Sequence, residues 1–87
     1  MKSTTLTVLN ELGLHARPSA KIATIANRFS STIQLTTPQK SIDAKSIMQV
    51  MMLAATKGTE ITVTVDGSDE DDALAAITEL FSHHFDE

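Results

Sequence analysis

Glu60-Ile61-Thr62-Val63-Thr64-Val65, stopped by Asp66-Gly67, alternates apolar and polar side chains and is rich in β-branched residues. That period of two marks a strand with one face buried, and it assigns Ile61, Val63 and Val65 to the core. Working outward, Lys57-Gly58 ends a compact apolar run from Ile47 to Ala55, headed by Ser46. Before it, Ser31-Thr32-Ile33-Gln34-Leu35-Thr36 alternates again. Pro38-Gln39 then turns the chain, and Lys40-Ser41-Ile42-Asp43 returns as a short strand able to pair as a hairpin. Nearer the start, Ala20, Ile22, Ala23, Ile25, Ala26 and Phe29 recur at helical spacing, with Lys21, Thr24 and Arg28 opposite. Thr5-Leu6-Thr7-Val8-Leu9 reads as the first strand, broken by Asn10-Glu11-Leu12-Gly13. Downstream, Ala73, Leu74, Ile77, Leu80 and Phe81 line one side of a last helix, with Phe85 continuing that side.

The resulting order is β-α-β-β-α-β-α. Helices confined to the crossovers predict an α/β (α+β) open-faced sandwich, a four-stranded antiparallel sheet with three helices on one face. At 87 residues the chain is expected to form one domain, 1–87, on a single thin core. Such a core leaves no room for a deep pocket or a large cofactor, so no cofactor is expected and a small-molecule enzyme has little support. With no cysteine, disulfides and cysteine–zinc sites are excluded.

The net charge of −4 is unevenly placed: six of the seven Lys and Arg lie in residues 1–45, while residues 66–87 hold eight Asp and Glu and no Lys or Arg. An acidic domain without a basic run, whose only aromatics are Phe29, Phe81 and Phe85, is not expected to bind nucleic acid. The N-terminal residues lack the apolar stretch of a signal peptide, and nothing later approaches a membrane span. A cytoplasmic protein without membrane insertion is therefore expected.

Gly13-Leu14-His15-Ala16-Arg17-Pro18 stands at the boundary between first strand and first helix. Gly13 permits a tight approach, and Pro18 fits a first turn because its missing N–H would have had no intrahelical acceptor there. His15 therefore falls at about the N-cap, where backbone N–H groups and the helix dipole favour an anion. An imidazole at such a position is a candidate nucleophile. Arg17 adds a fork of donors that can grip phosphate oxygens. A histidine at a helix start is also compatible with a solvated cap, so these residues alone leave both readings open. No metal site is expected: His83 and His84 are adjacent, near the acidic tail, and read as surface residues of a fraying last turn. Nor does the sequence specify the acid and the protected cleft of a catalytic triad.

Four stretches resemble the HPr family, the histidine phosphocarriers of the bacterial phosphoenolpyruvate-dependent phosphotransferase system: GLHARPS at 13–19, AKSIMQVMML at 44–53, KGTEITVTVDG at 57–67 and EDDALAAITELF at 70–81. The resemblance implies that His15 is phosphorylated through Nδ1 and that Arg17 is its phosphate-binding companion. It implies enzyme I as donor, enzyme IIA proteins as acceptors, and a carrier rather than an enzyme, expected to be monomeric.

Ser46-Ile47-Met48-Gln49 has the form of a capping box, in which the Ser46 hydroxyl accepts an N–H and Gln49 reaches back. By resemblance Ser46 is also a regulatory site for an ATP-dependent HPr serine kinase/phosphorylase. Gln49 departs from the pattern, because many regulated members carry Gly there. The ending ALAAITELFSHHFDE resembles the nitrogen-related branch, so the sequence leaves sugar uptake and nitrogen or carbon regulation both open. The alternative function is accordingly a regulatory binding module of a nitrogen/carbon-control phosphorelay. Ile47, Met48, Met51 and Met52 are more apolar than one short helix needs, so part of this stripe is expected to stay exposed as an adaptable docking surface. By resemblance Ile47, Met48 and Met51 flank the histidine and meet both partners.

Overall fold

The structure, a computed structural model, describes residues 1–86. Its elements are β1 (Lys2–Thr7), α1 (Ala16–Ala26), β2 (Thr32–Thr36), β3 (Ser41–Asp43), α2 (Ile47–Met52), β4 (Glu60–Asp66) and α3 (Glu70–Ser82). The four strands form one antiparallel sheet in the order β1-β4-β2-β3. β4 is central because it alone pairs on both sides with full-length partners, Leu6 standing opposite Ile61 and Leu35 opposite Val63. Its alternation places Ile61, Val63 and Val65 on the buried face with Ile33 and Leu35. That face is covered by Ile22 and Ala26 of α1, Val50 of α2, and Ala73, Ile77 and Phe81 of α3. The open-faced sandwich expected from the sequence is the fold found.

Several boundaries differ from the sequence reading, and α1 ends at Ala26, so Phe29 lies beyond the helix whose stripe it was expected to continue. β1 starts at Lys2 and ends at Thr7, instead of running from Thr5 to Leu9. Its extent is set by the ladder to β4, which pairs Lys2 with Val65 and Thr7 with Glu60, and not by its own weak alternation. The apolar run 47–55 is helical only to Met52. Leu53 and Ala55 are both buried, and the chain turns between them through Ala54, a non-glycine residue at φ 52°. Phe85 does not lie on α3. The helix ends at Ser82, and His84, Phe85 and Asp86 follow in a left-handed turn with φ of 52°, 57° and 61°. The turn returns Phe85 to the core, fully buried, with its ring edge-on to Phe81 at 4.8 Å between centroids. Lys21 Nζ donates to the Phe85 carbonyl. His83 and His84 are exposed as expected, but the last turn is anchored and not frayed.

The start of α3 is tied to the α1–β2 connection by one carboxylate. Asp69 occupies the N-cap position but does not cap its own helix. It accepts instead from the Ser30 N–H (2.9 Å), the Ser31 N–H (3.0 Å) and both serine hydroxyls. The Ser31 hydroxyl, followed by these backbone N–H groups, lowers the Asp69 carboxyl from 3.8 to about 2. A carboxyl depressed in the folded state stabilises the fold fully above its unfolded value and loses that contribution as pH falls toward the folded value. Thermal melts of the native protein and Asp69→Asn should therefore differ most above about pH 4 and converge near pH 2. A difference in melting midpoint that stays constant across this window would show that the contribution is not electrostatic.

Candidate functional site

His15 is the N-cap of α1, in extended conformation at φ −78° and ψ −166°, and its carbonyl accepts the first helical bond from Ser19 N–H at 3.1 Å. The residue is half-buried, Arg17 is exposed, and Pro18 is buried in the first turn. Here the local sequence is decisive. Gly13 turns the chain at φ 67°, and Pro18 is tolerated because an N–H at that depth has no intrahelical acceptor.

The backbone that carries His15 is held group by group. Gly13 N–H donates to the Asn10 carbonyl at 3.2 Å, and the Asn10 side-chain Nδ2 donates back to the Gly13 carbonyl at 2.6 Å. Leu14 N–H donates to the Ala55 carbonyl at 2.9 Å, and the buried Ser19 hydroxyl donates to the Leu14 carbonyl at 3.2 Å. The peptide unit joining Gly13 to Leu14 is therefore fixed at both its C=O and its N–H. Asn10 and Ser19 are the residues that sequence reasoning missed. Asn10 was legible only as a strand-breaker, although Asn three residues before a turn glycine is a recognisable signal for a side-chain-closed turn. A shallow groove beside this turn is lined by Leu9, Asn10, Glu11, Leu12, Lys57 and His84. In it Lys57 pairs with Glu11 at 2.7 Å and holds that carboxyl below its usual range.

The long-range contacts orient α2 relative to His15. Asn27, capping the end of α1, donates through Nδ2 to the Lys45 carbonyl at 2.9 Å, just before α2. At the other end, Leu14 meets Ala55, just after α2. The two helices are therefore antiparallel. Met51 and Met52 lie toward the His15 end of the pair, while Ser46 and Ile47 lie toward the far end. α2 is anchored by the buried Val50, leaving Ile47, Met48, Met51 and Met52 at 44%, 70%, 40% and 57% exposure.

Ser46 is the N-cap of α2, its hydroxyl accepting from Gln49 N–H at 3.3 Å. The reciprocal half of the capping box is not formed. Gln49 Oε1 accepts from the Asp43 N–H of β3 at 2.9 Å, and Ser46 N–H donates to the Asp43 carbonyl at 3.2 Å. β3 lies close enough to outcompete the local bond, so Gln49 joins α2 to the sheet. Among the described residues no group of three or more His, Asp or Glu could hold a metal ion, and no helix is long and apolar enough to cross a membrane.

The arrangement is an imidazole on a fixed helix start with an exposed guanidinium two residues on, beside an apolar helix face. The family model for the HPr component phosphorylation site of the phosphotransferase system matches residues 2–83. The chain belongs to the HPr family. The phosphocarrier protein HPr of Xylella fastidiosa (strain Temecula1) is 50% identical over 82 residues, covering 94% of this chain and 92% of that one. The phosphocarrier protein HPr of Pseudomonas aeruginosa is 44% identical, covering 100% and 98%. The crystal structure of HPr-C-His from Thermoanaerobacter tengcongensis superimposes with a TM-score of 0.95 at 38% identity, covering 100% of this chain and 98% of that one. As an HPr protein the chain is a phosphocarrier of the phosphotransferase system and not itself a catalyst. Proteins of the HPr family work with enzyme I and enzyme IIA.

The closeness of the loop before α1 to the loop after α2 depends on Gly13. A Cβ there would stand 2.3 Å from the Ala55 carbonyl oxygen and 2.9 Å from the Thr56 Cα. Gly13→Ala adds left-handed strain of about 1–2 kcal/mol to this backbone collision. A total loss of about 2–4 kcal/mol is expected in urea unfolding. A loss below about 0.5 kcal/mol, the range of a neutral surface change, would show that the two loops separate freely.

Proposed function

We propose that His15 is the residue that carries the phosphoryl group, taking it from phosphorylated enzyme I and giving it to an enzyme IIA protein. The observation that carries this reading is the placement of His15 at the N-cap of α1, directly after a Gly13–Leu14 peptide unit held at both its C=O and its N–H and a Leu14 carbonyl that accepts from Ser19. A neutral His15 ring attacks phosphorus through Nδ1. The new N–P bond forms as the N–P bond to the ring-protonated donor phosphohistidine breaks; the donor ring leaves neutral with its proton and phosphorylated His15 keeps the proton on Nε2, so no net proton is needed. Arg17 meets the phosphoryl oxygens with charge-assisted hydrogen bonds. Residues 12–42 contain Arg17, Lys21, Arg28 and Lys40 and no acid, which suits a partner surface that is acidic around an apolar centre. Ile47, Met48 and Met51 supply that centre on this side, and thioethers adapt to two different partners. The chain acts as one domain, 1–87, monomeric and in the cytoplasm.

Incubation with phosphoenolpyruvate, magnesium and cognate enzyme I should add one acid-labile, base-stable phosphoryl group by intact mass, and His15→Ala should abolish it. Equal labelling of that variant would remove His15 from the role. Arg17→Ala should slow transfer by about 10-fold or more while shifting stability by under about 0.5 kcal/mol, since an exposed first-turn cation supplies no core volume.

Ser46 is the regulatory site, modified by an ATP-dependent serine kinase/phosphorylase. A phosphate there adds about −1.5 to −2 charges beside Ile47 and Met48. Burying that charge against an apolar partner surface is unfavourable. Because Ser46 lies at the opposite end of the α1–α2 pair from His15, its effect falls on docking and leaves the imidazole untouched. Ser46→Asp should keep the melting midpoint near native, weaken enzyme I binding, and leave the transfer rate at saturating enzyme I within about twofold. Genuine phosphoserine should weaken binding further. Native affinity in both forms would reject the coupling, and global unfolding would reject the surface-charge mechanism.

A further inference from the structure

Asn10 lies outside the GLHARP segment and outside the apolar face of α2, yet it is only 5% exposed and bonds the His15 loop through its side chain at 2.6 Å. We infer that Asn10 is a positioning residue for phosphoryl transfer: its side-chain amide sets the plane of the Gly13–Leu14 peptide and, through it, where the His15 imidazole stands. The inference rests on His15 being the phosphoryl acceptor.

Asn10 Nδ2 holds the C=O of that peptide unit and Ala55 holds its N–H, so the plane is clamped at both ends, by groups from different parts of the chain. The amide orientation is dictated by its partner, because exchanging Nδ2 and Oδ1 would set two carbonyl oxygens against each other. Oδ1 is buried with no hydrogen-bond partner. An unpartnered buried acceptor is destabilising, a burden that an apolar side chain of similar reach would not carry. What asparagine supplies and leucine cannot is the single N–H aimed at the Gly13 carbonyl. The side chain is thus spent on orienting one peptide unit at the expense of its own satisfaction.

Releasing the C=O end lets the Gly13–Leu14 plane swing about the remaining Ala55 bond. Leu14 Cα moves with it, and His15 is the next residue. In-line transfer between two imidazoles tolerates little displacement, since about 1 Å of misplacement can lower a rate about 100-fold. Docking is a different matter. Ile47, Met48 and Met51 are on α2, whereas the Asn10 bonds run to Gly13 within its own turn, so partner affinity should be spared.

The test uses the full chain and phosphorylated enzyme I in single-turnover transfer, with Asn10→Leu and Asn10→Asp. The leucine variant removes both the donor and the orphaned acceptor. The aspartate variant keeps the shape and places an acceptor against the Gly13 carbonyl. Both should fold at 25 °C, transfer about tenfold or more slowly at saturation, and half-saturate within about twofold of native. A saturating rate within twofold of native in either folded variant overturns the inference, as does an effect confined to half-saturation. Unfolding of both variants would make Asn10 a folding residue and overturn it equally. Should the native protein itself fail to label at His15, the carrier reading falls instead, and intact-mass mapping of the native adduct separates the two failures.

Discussion

The hydrogen bond from Leu14 N–H to the Ala55 carbonyl joins two loops that the sequence separates by some forty residues, at 2.9 Å. It forms because Gly13 has no side chain to hold the backbones apart. Three consequences follow from that approach. The start of α1 is fixed against the end of α2, the helices are forced antiparallel, and the residue after Leu14 becomes a helix N-cap that faces outward. Every feature of the candidate site inherits its position from this contact. The nearby turn at Ala54 is part of the same device. The chain takes a left-handed step at φ 52° without a glycine, which lets Leu53 and Ala55 both point inward on either side of it. The strain is small beside what burying two apolar side chains returns, about 25 cal/mol per Å² of apolar surface.

A thin core on one face of a sheet leaves α2 with little to hold it. Val50 is its one buried residue, and the helix has only six residues, too few to be stable by propensity alone. Bonds from outside hold it: Ser46 caps its start, Gln49 ties it to Asp43 of β3, and Lys40 Nζ donates to the Met52 carbonyl at its end. Anchoring by polar bonds frees the remaining side chains from core duty. That explains how a chain with so little apolar surface to spare can leave Ile47, Met48, Met51 and Met52 in solvent. This exposed apolar face is a by-product of how the helix is fastened.

What could be read from the sequence was whatever depends on neighbours in the chain. β4 was legible because Ile61, Val63 and Val65 alternate without interruption, and the N-cap positions of His15 and Ser46 were legible because capping is settled within one turn. The features that were not legible depend on partners far along the chain. The end of α2 depends on Leu14 reaching Ala55, and the bond of Gln49 depends on β3 lying alongside. Phe85 depends on a left-handed turn that no glycine announces and on Lys21, 64 residues earlier, gripping its carbonyl. Asp69 resembles an ordinary cap at the head of an acidic first turn, yet its carboxylate serves Ser30 and Ser31. Asn10 looked like punctuation because its function lies in the direction of one N–H, a property that composition and periodicity do not carry.

A carrier that must serve a donor and an acceptor in turn cannot enclose its reacting group, since whichever partner built the enclosure would exclude the other. The structure meets that constraint by separating rigidity from enclosure. His15 is only half-buried, and order is invested in the peptide units behind it. In the proposed reading, exclusion of water falls to the partner, whose surface would close over the imidazole as it docks on α2. Such a division also limits how strongly either partner binds. An adaptable thioether face gains contact area with little geometric demand, and so little penalty for the next partner's different shape. On the proposed reading, the precision of transfer would reside in the loop and the promiscuity in the helix. The antiparallel pairing of α1 and α2 keeps the two side by side, with the Ser46 cap at the end of α2 away from the His15 loop.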